Sequence, residues 1–289
     1  MLAGIGGWLW PILFGTAKQA AIYGAVFAVI CLCFPCNPGV VWWRRRDIVL
    51  DWIWYFCFPL IGRLASLLLL SAGITGLVGL GVAQESFEIG KFGPLAGLPF
   101  WGQVVAYLLG ADLLLYWTHR AFHAASLWRY HAVHHSPEEL DWISAHRFHP
   151  LDVLLHSALP DVILLLLGVP VEVIVLVAPF QAFHGALIHA NLRWDFGWLK
   201  YLLVSPVYHR WHHTDVDRGG SKNFAATFPV FDLAFGTYYM PKGVLPDGYG
   251  VDDPDFPKGF WGQLAYPWRA VKHPEGDGVG QGVEGRLTS

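Results

Sequence analysis

Apolar residues in this chain run in long blocks, and the few polar residues inside the blocks mark where helices should end. The first block extends from Trp8 to about Phe34, with Lys18 and Gln19 inside it. Crossing the hydrocarbon of a bilayer takes roughly 20 apolar residues of helix. Ala20 to Phe34 and its flanks therefore predict a first, short span. Trp42 and Trp43 follow, then Arg44, Arg45 and Arg46. Tryptophan beside clustered arginine marks a bilayer boundary, and the arginine excess in a short loop assigns that boundary to the cytoplasm. Ile48 to about Val82 is apolar for longer than one crossing needs, with Asp51 and Arg63 interrupting it. It predicts an interfacial or re-entrant helix to about Leu60, then a span from about Leu64 to Val82. The polar segment QESFEIGKFGP would lie on the far side. A further span from near Phe100 would carry Asp112 back to the cytoplasmic face as His119 is reached.

Beyond His135 a polar connection, SPEELDWISAHRFHP, ends at Pro150. Leu151 to Leu167 and Val171 to about Ile188 are apolar and separated by Gly168, Val169 and Pro170. They predict a helical hairpin that dips into the membrane, kinked or lined by Pro160, Asp161, Pro179 and Gln181. Trp194 to Pro206 reads as an amphipathic interface helix. DRGGSKNFAATFPVFDLAFGTYYMP faces water, with Asn223 and Asp232 as polar groups near the site. Residues 273–289 read as a disordered tail. The fold class expected is all-α: one domain, residues 1–272, a polytopic transmembrane bundle with a cytosolic helical cap carrying the histidines, whose region spans residues 112–240.

Composition agrees with a membrane setting. The 289 residues are 54% hydrophobic and 14% charged, against about 25% charged for soluble domains. A net charge of −3 without a basic stripe argues against nucleic acid as a partner. Cys33 and Cys36 have metal-knuckle spacing but no second pair, so Cys31, Cys33, Cys36 and Cys57 read as apolar packing. The opening MLAGIGGWLW lacks the basic start and cleavage site of a secretory leader.

The chemistry lies in the histidines. His119 and His123 stand four apart, and His131, His134 and His135 stand at i, i+3 and i+4, so each set shares a helix face. His209, His212 and His213 repeat the second spacing, and His184 and His189 end the hairpin. One ion takes about four such ligands, so these ten histidines predict two neighbouring ions, each with about five imidazoles and an open position. Asp112, Asp141, Asp215 and Asp232 are the carboxylates expected to orient imidazoles; Asp112 is equally readable as an interfacial residue. Trp117, Phe122, Trp128, Trp142, Phe148, Trp194 and Trp211 should ring the site. No serine or cysteine is placed as a nucleophile. An aliphatic C–H bond in lipid offers no leaving group, so attack on it needs dioxygen and a redox-active metal. That excludes zinc and admits iron.

The order H-x3-H, H-x2-HH, hairpin, H-x-N, H-x2-HH resembles the fatty acid hydroxylase and sterol desaturase superfamily. The likeness runs from about Arg44 to Pro267, through THRAFH, YHAVHHSPEELDWISAHRFHP, HAN at His189 to Asn191, YHRWHHT, and NF followed by FDLAFGTYY. The resemblance implies a membrane oxygenase with two iron ions held by those ten histidines. It would use O2 and electrons from a separate ferredoxin or b-type cytochrome with its reductase, docking on the cytoplasmic basic surface. Its reaction would be hydroxylation of a fatty acyl, sterol, hopanoid or carotenoid substrate; desaturation of the same class is the alternative. His149, in the R-x-HP element, would support a ligand. The chain departs from the pattern at His184, five residues before His189, and at Phe231, where tryptophan is common before Asp232. His146 and His156 have no box partner. A membrane metal transporter is a weaker reading, because its ligands would spread along a span rather than bunch at one end.

Overall fold

The computed structural model describes residues 2–82, 88, 90–215 and 218–269. The predicted tail at 273–289 lies outside them. All regular structure among the described residues is helical. α1 (Leu2–Cys33), α2 (Ile48–Gly79), α3 (Phe100–Phe122), α4 (Ala125–His135), the single turn α5 (Pro150–Asp152), a π-helical stretch at Val153–Ala158, α6 (Leu159–Leu166), α7 (Val171–His189), α8 (Pro206–His212), α9 (Val230–Ala234) and α10 (Phe260–Ala265) follow in order.

α1, α2, α3 and α7 are long and apolar enough to cross a bilayer, and 17–33% of their apolar windows is buried within the protein. Most of that apolar surface therefore needs lipid to cover it. Two expectations about the spans change. α1 continues through Lys18 and Gln19: the Lys18 ammonium lies over the Phe14 ring, and Gln19 accepts from the Tyr55 hydroxyl at 3.1 Å. α2 is one 32-residue helix rather than an interfacial helix and a separate span. At 1.5 Å per residue it is about 48 Å long, exceeding the hydrocarbon by about 18 Å, so it runs on beside the histidine-bearing elements. Asp51, which reads as an interruption, is fully buried between Arg45 and Arg147. Paired in this way, it does not need to end the helix.

The α6–α7 hairpin forms as expected, around Gly168 at φ +104°. A Cβ there would come within 2.6 Å of the Ala96 nitrogen and the Phe92 carbonyl oxygen, so the turn needs a bare backbone. The predicted interface helix is only a 3-10 turn, Gly197–Tyr201, which still exposes Trp198, Leu199 and Tyr201. The π-helical stretch packs on α2 and lets α3 meet α6 and α7 through Tyr107, Ala111, Leu164 and Val173. The short helices gather at the His119 and His189 ends of α3 and α7. α10 is tied there to α2 by Trp54 Nε1–H donating to Gln263 at 2.9 Å.

Candidate metal centre

α8 is specified locally. Ser205 Oγ accepts from Tyr208 N at 3.2 Å as N-cap, and Pro206 takes the first helical position. The short helix that results presents His209, His212 and His213 together. Arg210, fully buried, donates through Nη1 to the carbonyls of Leu140, His189 and Ala190 at 2.8–3.2 Å, clamping α8 to the end of α7. Its importance is invisible in the sequence, where it reads as an ordinary charge between two histidines.

Nine of the ten expected histidines converge, in two groups. His119, His123, His131, His135 and His212 form one; His134, His189, His209 and His213 form the other. Within each, ligand nitrogens lie within 4.8 Å of one another. The groups abut: the His135 and His213 rings stack at 4.4 Å, and His209 stacks on His212 at 5.4 Å. The split does not follow the sequence boxes. α4 sends His134 to one group and its neighbours to the other, and α8 divides likewise. His184 joins neither group. Five residues before His189 on a helix is about 140° round from the shared face, and its Nε2–H donates to the Val204 carbonyl at 2.9 Å.

The protonation pattern is set from behind. Nδ1–H donates to the Phe224 carbonyl in His119 (2.8 Å), to Asp152 in His131 (2.7 Å), to the Arg147 carbonyl in His134 (3.3 Å), to the Gly185 carbonyl in His189 (2.7 Å) and to the Lys222 carbonyl in His212 (2.7 Å). A neutral imidazole carries one N–H, so each of these rings turns a bare Nε2 lone pair inward. His119 and His131 then face each other Nε2 to Nε2 at 3.1 Å, and His134 and His189 at 3.2 Å. Two lone pairs at that distance repel unless a cation lies between them. Imidazole nitrogens about 2.0–2.1 Å from one ion stand about 2.9–3.4 Å apart, so the donor set fits a metal. Burial, followed by repulsion from neighbouring imidazoles, pushes His131, His134, His135, His212 and His213 well below the usual imidazole range, keeping them neutral as ligands must be.

The supporting carboxylate is not one of the four expected. Asp152 touches His131. Asp112 instead accepts the backbone N–H groups of Ala226, Thr227 and Phe228 at 2.7–3.2 Å. Asp141 accepts from Trp142 N at 2.6 Å, and Asp215 is half-exposed beside Arg218. Asp232 acts at one remove. It accepts from Phe224 N, Ala225 N, Thr237 Oγ1 and Tyr208 Oη at 2.6–2.8 Å, holding the strap whose carbonyls seat His119 and His212. Asn223, at φ +60°, turns that strap so that the carbonyls on either side reach the two rings. His149 does not support a ligand; it caps α5 through Leu151 N at 3.1 Å and donates to the Leu264 carbonyl at 3.2 Å. His156 lies 4.9 Å ring to ring from His119, and its Nδ1 is 3.3 Å from Thr118 Oγ1. His146 packs against Tyr55 and Phe58. Of the expected aromatic ring, Phe148 stacks on His134 at 4.1 Å, Trp128 lies 5.1–5.2 Å from His123 and His135, and Phe122 lies 5.7 Å from His131. Trp142 packs against α1, Trp194 against Phe34, Trp211 against Tyr239 and Trp117 against Phe235.

A cavity of about 330 Å³ opens onto His119, His134, His189 and His209 and continues between the spans, walled by Phe58, Leu115, Phe148, Ile188 and others. That size is at the lower end of the range for small-molecule sites.

Residues 104–237 match the family model for fatty acid hydroxylase. The chain is 31% identical to the ornithine lipid hydroxylase of Rhizobium tropici over 257 residues, 86% of this chain and 74% of that protein. It is 28% identical over 147 residues to the alkylglycerol monooxygenase of Xenopus tropicalis, covering 50% of this chain and 32% of that one. It is 29% identical over 157 residues to the Delta(7)-sterol 5(6)-desaturase of Gibberella zeae, covering 48% and 38%. No solved structure matches.

Proposed function

This chain belongs to the fatty acid hydroxylase and sterol desaturase superfamily and is an integral membrane oxidoreductase of that kind; from this premise we propose that it is a di-iron oxygenase hydroxylating a C–H bond of a lipid. The observation that carries the reading is the pair of facing, proton-free Nε2 contacts at the mouth of an apolar cavity. In this reading His119, His123, His131, His135 and His212 hold one iron, and His134, His189, His209 and His213 the other. Bound iron would supply activation of dioxygen, which redox-inert zinc cannot.

The protein's own share is position and dryness. Backbone carbonyls and Asp152 fix the tautomers, while Phe148 and Trp128 close the rings off from water. His134, His189 and His209 of the four-histidine group line the cavity, joined by His119 alone from the other group. In this reading the reacting C–H would be delivered to that side, where the cavity meets three of the four histidines. Phe58, Leu115 and Ile188 grip the chain that carries it. The long match to the ornithine lipid hydroxylase favours a polar-headed lipid over a sterol, hopanoid or carotenoid.

The centre lies on the cytoplasmic side. Arg44 and Arg46 are exposed at the histidine end of α2, where Arg45 pairs with Asp51 and Asp47 with Arg147. With Arg45 buried, those two remain of the triplet as a docking point for the ferredoxin or b-type cytochrome that supplies electrons.

The test is incubation of the iron-loaded protein with lipid extract, reduced donor and isotopically labelled dioxygen, followed by mass spectrometry. Hydroxylation adds one labelled oxygen. Desaturation removes two hydrogens and leaves no label in the lipid, and would replace hydroxylation in this reading. Unchanged product after complete iron removal would overturn both.

A further inference from the structure

The cavity has a polar end that the metal centre does not use. Asp161 on α6 and Gln181 on α7 line it. Behind them the buried Tyr107 of α3 sets its hydroxyl 2.7 Å from Asp161 Oδ1 and 3.2 Å from Gln181 Oε1. About 12 Å of helix axis separates Gln181 from His189, and about 18 Å separates Tyr107 from His119. Three helices thus bring one polar group each to a common level among apolar spans. Such groups are costly inside a membrane unless they are partnered or used.

Their hydrogen bonding is not closed. Tyr107 gives its one proton to Asp161 Oδ1 and meets the Gln181 carboxamide on its other side, while Asp161 Oδ2 takes no hydrogen bond among the described residues. What the Asp161 carboxylate lacks is a donor at Oδ2. A hydroxyl or an N–H group on a ligand in the cavity would supply it, which an ether or ester oxygen cannot do. Resting on the oxygenase reading, we infer that Tyr107, Asp161 and Gln181 form a recognition site for a hydrogen-bond donor on the substrate and hold it about 12–18 Å along the helices from the histidines where the carbon is oxidised. The substrates selected are lipids with a hydroxyl or N–H at that separation from the reacting C–H; bare hydrocarbons are disfavoured.

The experiment measures the apparent affinity of the iron-loaded full chain in detergent for decan-1-ol and for methyl nonyl ether, read as stabilisation against heat. The two probes have the same number of heavy atoms but differ in carrying a donor. Wild type should prefer the alcohol by roughly tenfold. Asp161→Leu and Gln181→Leu should each reduce the preference to about twofold or less while keeping iron content. Asp161→Asn, which retains an acceptor oxygen, should recover part of it. If Asp161→Leu does not fold, Gln181→Leu and Tyr107→Phe decide the matter. Equal affinity of wild type for both probes, or a full preference surviving in the leucine variants, would overturn the donor site. Loss of iron-dependent product from every lipid, with the alcohol preference intact, would overturn the oxygenase reading and leave the donor site standing.

Discussion

Replacing Asp152 with alanine should release one iron and spare the other. Asp152 and His131 are fully buried and 2.7 Å apart. Removing the carboxylate leaves the His131 Nδ1–H without an acceptor where water does not reach. Leaving such a donor unmade costs about 1–3 kcal/mol, and about 1.4 kcal/mol is tenfold, so the ion bound by His131 should weaken about 5- to 150-fold. Loss of a ligand's hydrogen-bond partner is known to cost about 10- to 100-fold in affinity. In the other group, His134 and His189 lean on the Arg147 and Gly185 carbonyls, which the substitution leaves in place. The assay is iron per chain after equilibration against graded chelator. The wild-type curve should split in Asp152→Ala into a weakened step for one ion and an unmoved step for the second, with Asp152→Asn falling between. Both steps at their wild-type positions, or both displaced equally, would refute the reasoning.

The remaining expectations concern the same centre. His134→Ala and His212→Ala should each abolish product and lower iron content; full iron and turnover in either would show its group to be misassigned. His184→Ala should keep both ions, since its nitrogen is engaged by Val204, and iron analysis showing one ion missing would restore it as a ligand. The metal-stripped protein should be labile to acid. Its buried histidines titrate well below 6.5, so the unfolded chain binds more protons as pH falls beneath that value. The stability present above about pH 6.5 is lost on acidification, by up to about 1.4 kcal/mol per pH unit for each histidine. A melting temperature of the stripped protein that stays flat from about pH 7 to about pH 5.5 would contradict this.

The sequence made the long helices and the convergence of histidines legible, because both follow from short-range rules: apolar block length and the helical repeat. What it did not disclose depends on partners distant in the chain. Asp51 reads as an interruption of the apolar block only while Arg147, nearly a hundred residues on, is out of view. Asp152 has nothing local in the sequence to mark it as the acceptor for His131. The assignment of His134 apart from His131 and His135 follows from where α7 and α8 arrive, which spacing within α4 cannot contain. The five-residue offset of His184 from His189 already sets it apart from the other histidines in the sequence.

His212 and its neighbours His209 and His213 leave the same short helix for opposite groups. One turn of backbone is therefore a party wall between two rooms. A force that shifts α8 to loosen one occupant necessarily disturbs its neighbour, so the centre should fill and empty as a unit when α8 moves, and single-occupancy forms should require damage to a ligand anchored elsewhere.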